Sequence, residues 1–255
     1  MKARQNTILI TGGGSGIGLA LAELFMKNDY KVIITGRNLK KLQEVQAVHP
    51  ELYITPCDVT KDEDVEALVA FTKKQFDGID ILINNAGIMN LFDSGKKGND
   101  LEKQLDEVNV NFKAPMRMLH YFLPQLKTST NAVLINTSSG LAYVPYCQSP
   151  VYSGTKAGLH FWTRSIRPQL ARHHIRVVEL LPPVVATKLA EEADLTDSRL
   201  KPMPPEKLAA LFWKDFTSGK EEIAPGISKQ LQFFSRLAPR FIFNQLNKQS
   251  VPKIL

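Results

Sequence analysis

Cysteine is scarce: 255 residues carry two, Cys57 and Cys147, and they show no CxxC spacing. Two isolated thiols build no disulfide framework, which excludes a stapled secreted scaffold and fits free thiols in a reducing compartment. Long apolar runs are absent as well. None approaches the roughly 20 residues that a membrane-spanning helix needs, so no transmembrane segment is expected. The basic start MKARQ leads into an apolar run that stops at Thr11-Gly12, too short for a secretory signal. The closing VPKIL matches no retention or peroxisomal address. Together these absences predict a cytoplasmic location. No grouping of His, Cys and carboxylate residues has metal-ligand spacing, so no metal is expected.

Acidic charge is in deficit. Lys and Arg number 32 against 25 Asp and Glu, a net charge of +7. Such a surface favours anionic partners, phosphorylated cofactors among them. The basic residues are scattered and form no nucleic-acid motif, so nucleic-acid binding is not expected. With 44% hydrophobic and 22% charged residues, the composition is that of a globular protein, and the length suits one large α/β domain.

Short apolar runs alternate with longer amphipathic stretches. TILIT (7–11), KVIIT (31–35), LYITPC (52–57), IDILIN (79–84), AVLINT (132–137) and IRVVEL (175–180) read as strands. Residues 16–28, a stretch ending near Val48, and the segments 62–76, 100–127 and 151–173 read as helices. The strands are continuous and rich in β-branched residues, as strands buried on both faces are. Strand and helix taking turns predict right-handed βαβ units. The fold class is therefore α/β, a doubly wound, mostly parallel sheet of the Rossmann type with helices on both faces. No repeat, linker or low-complexity segment divides the chain, so 1–255 reads as a single domain. Residues 188–227 read as a substrate-loop insertion over the sheet edge. Residues 228–255 read as a C-terminal helical extension, interrupted at Pro239 and most simply a packed helix pair.

TGGGSGIG (11–18) follows the first strand and opens the first helix. Glycines there permit a tight turn and let backbone N–H groups approach a pyrophosphate at a helix N-terminus. The loop lacks the G-K-[ST] ending of an ATP P-loop, which excludes that reading. The second strand ends TGRN (35–38), without the acidic residue that holds the ribose 2′-hydroxyl of NAD. Arg37 offers a fork of donors to a 2′-phosphate instead. A solvated surface arginine is the plainer alternative, but its position and the missing acid favour NADP(H), with NAD(H) possible.

Ser139 lies just after the fifth strand, at the carboxyl edge where open α/β sheets bind ligands. Tyr152 and Lys156 begin the next helix, one turn apart and stacked on one face. Free tyrosine ionises near pH ~10. A nearby ammonium favours phenolate, so Lys156 is expected to pull Tyr152 toward working pH. An ordinary surface pair would have the same spacing. A serine thirteen residues before the tyrosine, with a phosphate cradle upstream, makes chance a poor explanation.

On these residues the sequence resembles the short-chain dehydrogenase/reductase family over essentially residues 5–227. The matching pieces are TGGGSGIG, Asp58 in CDVT, NNAG (84–87), SSG with Ser139, YSGTK and PPVVATKL (182–189). SSGLAYVP…PVY with PPVVATK looks most like the subgroup associated with the D-alanine/lipoteichoic-acid operon of Gram-positive bacteria. The resemblance implies that Tyr152 is the general acid/base, that Ser139 orients the carbonyl or alcohol, and that Lys156 binds the nicotinamide ribose and tunes Tyr152. It implies that Asn111, in NFKAP, holds a water for a proton relay. It also implies cofactor contacts at Gly12, Ser15, Gly16, Ile17, Gly18 and Arg37, at Asp58 and Val59 beside the adenine, at Asn85, Ala86 and Gly87 beside the adenosine ribose, and at Val185 and Thr187 on the nicotinamide side. One departure stands out: Pro182-Pro183 replaces the family's Pro-Gly and removes an N–H.

The function so implied is an NADP(H)-dependent oxidoreductase interconverting a carbonyl and an alcohol by hydride transfer. Alternatives are reduction of 3-oxoacyl groups on an acidic carrier protein, and a non-catalytic NADP-binding redox sensor; the full catalytic set favours catalysis. The expected partners are a small-molecule substrate and further copies of the chain, as a homodimer or homotetramer pairing the outer faces of helices 100–127 and 151–173. Tyr143, Tyr146 and Cys147 are expected to line the substrate pocket, with loop packing the alternative. His160 is expected at a helix interface.

Overall fold

The computed structural model describes residues 5–95, 100–192 and 201–248, so parts of the 188–227 and 228–255 segments lie outside the described residues. The chain runs β1 (Thr7–Thr11), α1 (Gly16–Lys27), β2 (Lys31–Gly36), α2 (Leu39–Val48), β3 (Tyr53–Pro56), α3 (Asp62–Phe76), β4 (Ile81–Asn84), α4 (Leu101–Val108) and α5 (Ala114–Thr128). It continues through β5 (Val133–Thr137), α6 (Pro150–Ala171), β6 (Arg176–Leu180), α7 (Lys188–Glu192), α8 (Pro205–Thr217), β7 (Glu222–Ile223), α9 (Ile227–Leu237) and α10 (Pro239–Leu246). The strands form one seven-stranded sheet in the order β3-β2-β1-β4-β5-β6-β7. Every pairing is parallel.

Two cores explain why the inner strands carry apolar residues at successive positions. Side chains alternate across a strand. Ile8, Ile10, Ile34, Ile83 and Ile135 pack on one face beneath α1, α2 and α8, with Leu21, Phe25 and Phe212. Leu9, Ile33, Leu82, Leu134 and Val177 pack on the other beneath α3, α5 and α6, with Leu68, Phe122 and Ile166. The register keeps each set in line: Leu9 sits beside Ile33 and Leu82, and Leu134 beside Leu82 and Val177. Each such side chain withdrawn from water contributes about 1.5–3 kcal/mol.

The order reverses between β1 and β4. β1 leads by way of α1 to β2 on one side, while β4 lies on its other side. In open α/β sheets the crevice at the strand carboxyl ends beside such a switch binds ligands.

The structure departs from the sequence reading in two places. Residues 205–223 are not an insertion over the sheet edge. α8 packs on α1, where Phe25 meets the rings of Phe212, Trp213 and Phe216 edge-on at 5.5 to 6.2 Å. β7 then pairs with β6, so the segment completes the sheet and its first core layer. The helix expected over 100–127 is also interrupted, by a π-helical turn at Asn109–Lys113 between α4 and α5. Pro115 follows at once in the first turn of α5; having no N–H, it cannot donate to the carbonyl of Asn111 four residues back.

Candidate active site

A cleft of about 780 Å³ opens at the carboxyl ends of the central strands, within the range of ligand pockets. The glycine turn forms one wall. Gly12 has φ +65°, and a Cβ there would lie 2.9 Å from the Ala86 Cα. Gly16 has φ +53°, and a Cβ there would come within 2.8 Å of the Thr187 Cγ2, so Thr187 closes over the turn. Asn85 holds the turn in place, donating from Nδ2 to the Thr11 carbonyl at 3.1 Å and to the Gly12 carbonyl at 3.3 Å. The α1 N-terminus reaches the cleft with no acidic residue in its first turn and no capping bond from Ser15. Its free amides fit an anionic group, as a dinucleotide's pyrophosphate requires.

Opposite lie Ser139, Tyr152 and Lys156. Neither member of the helical pair is on the surface: Tyr152 is 9% exposed and Lys156 3%. The Lys156 ammonium donates to the Thr137 carbonyl at 2.9 Å and lies 5.5 Å from the Tyr152 ring centre. Ser139 Oγ accepts the Leu141 amide at 3.1 Å, which fixes the serine at the head of a 3₁₀ turn, Gly140–Ala142. A Cβ on Gly87 would lie 3.3 Å from Asn111 Oδ1 and 3.6 Å from Lys156 Nζ, so the amide and the ammonium converge on that glycine.

The electrostatics differ from the expectation for Tyr152. Burial pushes its hydroxyl up to about 12, against a lowering by the nearby Ser139 hydroxyl, and Glu107 adds to the rise. The lysine does not offset this. Burial draws Lys156 itself down to about 8, although Glu179 favours its charge. Desolvation therefore outweighs the pairing here.

The remaining expected residues separate into three groups. Ser15, Gly16, Ile17, Asn85, Ala86, Gly87, Val185 and Thr187 line the cleft with Tyr146. Arg37, Asp58 and Val59 gather at the β2 and β3 ends. Burial alone would raise the Asp58 carboxyl, but hydrogen bonds from the Thr60 hydroxyl and amide, and then Arg37 and Lys61, hold it below the usual range. Tyr143 and Cys147 are the corrections. The Tyr143 hydroxyl donates to Glu222 at 2.7 Å and its ring packs on His160, outside the cleft lining. The Cys147 amide donates to Asn247 Oδ1 at 2.7 Å, again as loop packing. Of these loop residues, Tyr146 faces the cleft.

His160 departs from the sequence reading, and several further residues escaped it. His160 meets a strand rather than a helix: its Nδ1 pairs with Glu179 at 2.8 Å, and Ser138 donates to the same carboxylate. His160, Glu179 and Glu222 have ligand atoms within 4.8 Å of one another, joined from α6, β6 and β7, which no local spacing reveals. Glu107 is fully buried, accepts the Asn90 amide and side chain, and leaves Oε2 without a partner. Asn90 in turn accepts from Ser149 at the start of α6, tying this carboxyl to the helix that carries Tyr152. Ile227, Leu231, Ile242 and Leu246 from α9 and α10 complete the cleft wall.

Residues 6–198 match the short chain dehydrogenase family. The chain belongs to that family. It is 34% identical over 250 residues to the uncharacterized oxidoreductase DltE of Bacillus subtilis, covering 98% of this chain and 99% of that one. It is 33% identical over 207 residues to an uncharacterized oxidoreductase of Staphylococcus aureus, covering 79% and 86% of the two chains. Among solved structures, a short chain dehydrogenase from Burkholderia cenocepacia in complex with NADP superposes with a TM-score of 0.83 at 23% identity, over 99% of this chain and 100% of that one. A short-chain dehydrogenase from Streptomyces avermitilis gives the same TM-score and identity over 98% of each chain. The protein is an oxidoreductase of the short-chain dehydrogenase type.

Proposed function

We propose that the protein is an NADP(H)-dependent oxidoreductase that interconverts a carbonyl and an alcohol. The observation that carries this reading is the burial of Tyr152 and Lys156 one turn apart, beside Ser139, across the cleft from the glycine turn. A bound nicotinamide dinucleotide supplies or accepts the hydride.

The chain's own part is proton transfer, orientation and exclusion of water. In the reducing direction the Tyr152 hydroxyl gives its proton to the substrate oxygen as the carbon is reduced; in the oxidising direction it takes that proton back. Ser139 Oγ accepts the Leu141 amide, which leaves its O–H for the substrate oxygen. Lys156 spends one N–H on Thr137 and keeps the others for a ribose hydroxyl. The Asn111 side chain is engaged on Ile88 and Thr155, so the relay water falls to its backbone carbonyl, which Pro115 deprives of a helical donor. Met89, Leu141 and Leu231 make the walls apolar, which favours an apolar substrate.

NADP(H) is the preferred cofactor in this account. Arg37 follows directly on β2, where an acid would repel a 2′-phosphate, and a Cβ at Gly36 would meet nothing within 4 Å, so space is open there. The test is a screen of ketones, aldehydes and alcohols against NADPH and NADH. Faster oxidation of NADPH than NADH by an apolar carbonyl is expected. Tight cofactor binding without turnover of any substrate would make the protein a sensor instead.

A further inference from the structure

Helices α9 and α10 present two apolar faces. Their inner face walls the cleft through Ile227, Leu231, Ile242 and Leu246. Their outer face leaves Phe233 60%, Leu237 69% and Phe241 55% exposed, with Phe234 at the margin and its ring edge-on to Phe233 at 5.3 Å. Phe233 and Leu237 stand one turn apart and so share one side of α9. Isolated apolar residues on a surface are ordinary, but a cluster of three phenylalanines and a leucine on one short helix pair marks a contact surface.

The charge on this element is one-sided. No Asp or Glu follows Glu222 in the sequence, whereas Lys229, Arg236, Arg240, Lys248 and Lys253 do. The first four are exposed. Charge complementarity decides between occupants. A second copy docked through this face would bring the same cations to a surface that already carries them, with no Asp or Glu on α9 or α10 to compensate. An anionic lipid surface meets both features at once. Phenylalanine and leucine enter the acyl boundary, and flanking Lys and Arg stay with negative headgroups.

We propose that the outer face of α9–α10, built on Phe233, Leu237 and Phe241 and rimmed by Arg236 and Arg240, seats the protein peripherally on an anionic bilayer. The docking is interfacial: no helix among the described residues is long and apolar enough to cross a membrane. Because the same two helices wall the cleft from inside, the site lies one helix away from the lipid, where an apolar substrate partitions.

The test is sedimentation of the full-length protein with vesicles of phosphatidylglycerol or of phosphatidylcholine at low and raised salt. Binding to the anionic vesicles that weakens with salt, and little binding to the neutral ones, is expected. Each cation near such a surface is worth about fivefold in binding, so Arg236→Glu with Arg240→Glu should weaken it at least about 25-fold. Phe233→Ser with Phe241→Ser should also release the protein, and neither pair should alter NADPH binding. Failure to bind anionic vesicles, equal binding to both kinds, or binding indifferent to both double variants overturns the proposal. So does dissociation of an oligomer by the phenylalanine pair, which would make the face a subunit contact.

Discussion

The Asn111 side chain clasps the backbone of Ile88 from both directions, its Oδ1 accepting the Ile88 amide at 2.9 Å and its Nδ2 donating to the Ile88 carbonyl at 2.8 Å. The π turn brings this amide to the loop after β4, and a third contact, Nδ2 to the Thr155 hydroxyl at 3.3 Å, joins it to α6. One buried side chain thus locks the loop to the helix carrying Tyr152 and Lys156.

Asn111→Leu keeps the branched shape and removes all three bonds. With two half-buried backbone groups left unpaired, about 2–4 kcal/mol of stability should be lost. Chemical denaturation at constant m-value measures it. A loss under about 0.5 kcal/mol, within the ordinary scatter of surface substitutions, would show that the clasp is incidental.

The raised pKa of Tyr152 gives the pH dependence a sign. A group near 12 holds its proton at neutral pH, so carbonyl reduction, which needs the protonated phenol, should be level there. Alcohol oxidation needs the phenolate and should climb with pH, by up to about tenfold per unit. Lys156 loses its charge as pH rises through about 8, so reduction should begin to fall above that point. Initial rates in both directions from about pH 6 to about pH 10 test this. An oxidative rate independent of pH would remove Tyr152 as the base.

Much of this was legible in the sequence for one reason: strands buried on both faces and a glycine turn are local patterns. Gly12 and Gly16 stand where positive φ and close approach require them, and the ILI of TILIT and the AVLI of AVLINT are unbroken apolar runs. The spacing of Tyr152 and Lys156 likewise follows from helix geometry alone. What the sequence concealed depends on contacts between distant elements. The burial that lifts Tyr152 comes from the elements packed around it, the His160–Glu179 pair joins α6 to β6, and Tyr143 turns toward Glu222 across 79 residues. α8 looked like a loop insertion because its proline-rich lead-in obscured an amphipathic helix whose partner, Phe25, lies far back in the chain.

Cofactor choice should be carried by Arg37. A hydrogen bond to a charged group contributes roughly 1.5–3 kcal/mol, and 1.4 kcal/mol is about tenfold. Arg37→Ala should therefore weaken NADPH binding by about ten- to a hundredfold and leave NADH nearly unchanged. Gly36→Asp has room for its side chain and should penalise NADPH while giving NADH a partner for its ribose hydroxyl. Dissociation constants for both cofactors decide the matter. Equal losses in Arg37→Ala would make the arginine structural.

Leu101, Leu105, Met116 and Phe161 are exposed on α4, α5 and α6, with Phe161 at 67%. Pairing of these faces should make the protein a homodimer or homotetramer in solution, and Phe161→Arg should dissociate it. Sedimentation velocity at micromolar concentration is the measurement. A monomeric wild type would exclude this assembly.

The central claim is that Tyr152 moves the proton while the cofactor moves the hydride. The direct measurement is turnover of Tyr152→Phe on a carbonyl that the wild type reduces, alongside the NADPH dissociation constant of both proteins. Positioned acid–base groups contribute about 10²–10⁴-fold, so the rate should fall by that factor while NADPH binding stays nearly unchanged. A variant that keeps more than about a tenth of the wild-type rate would contradict the account, because Tyr152 would then not be the acid.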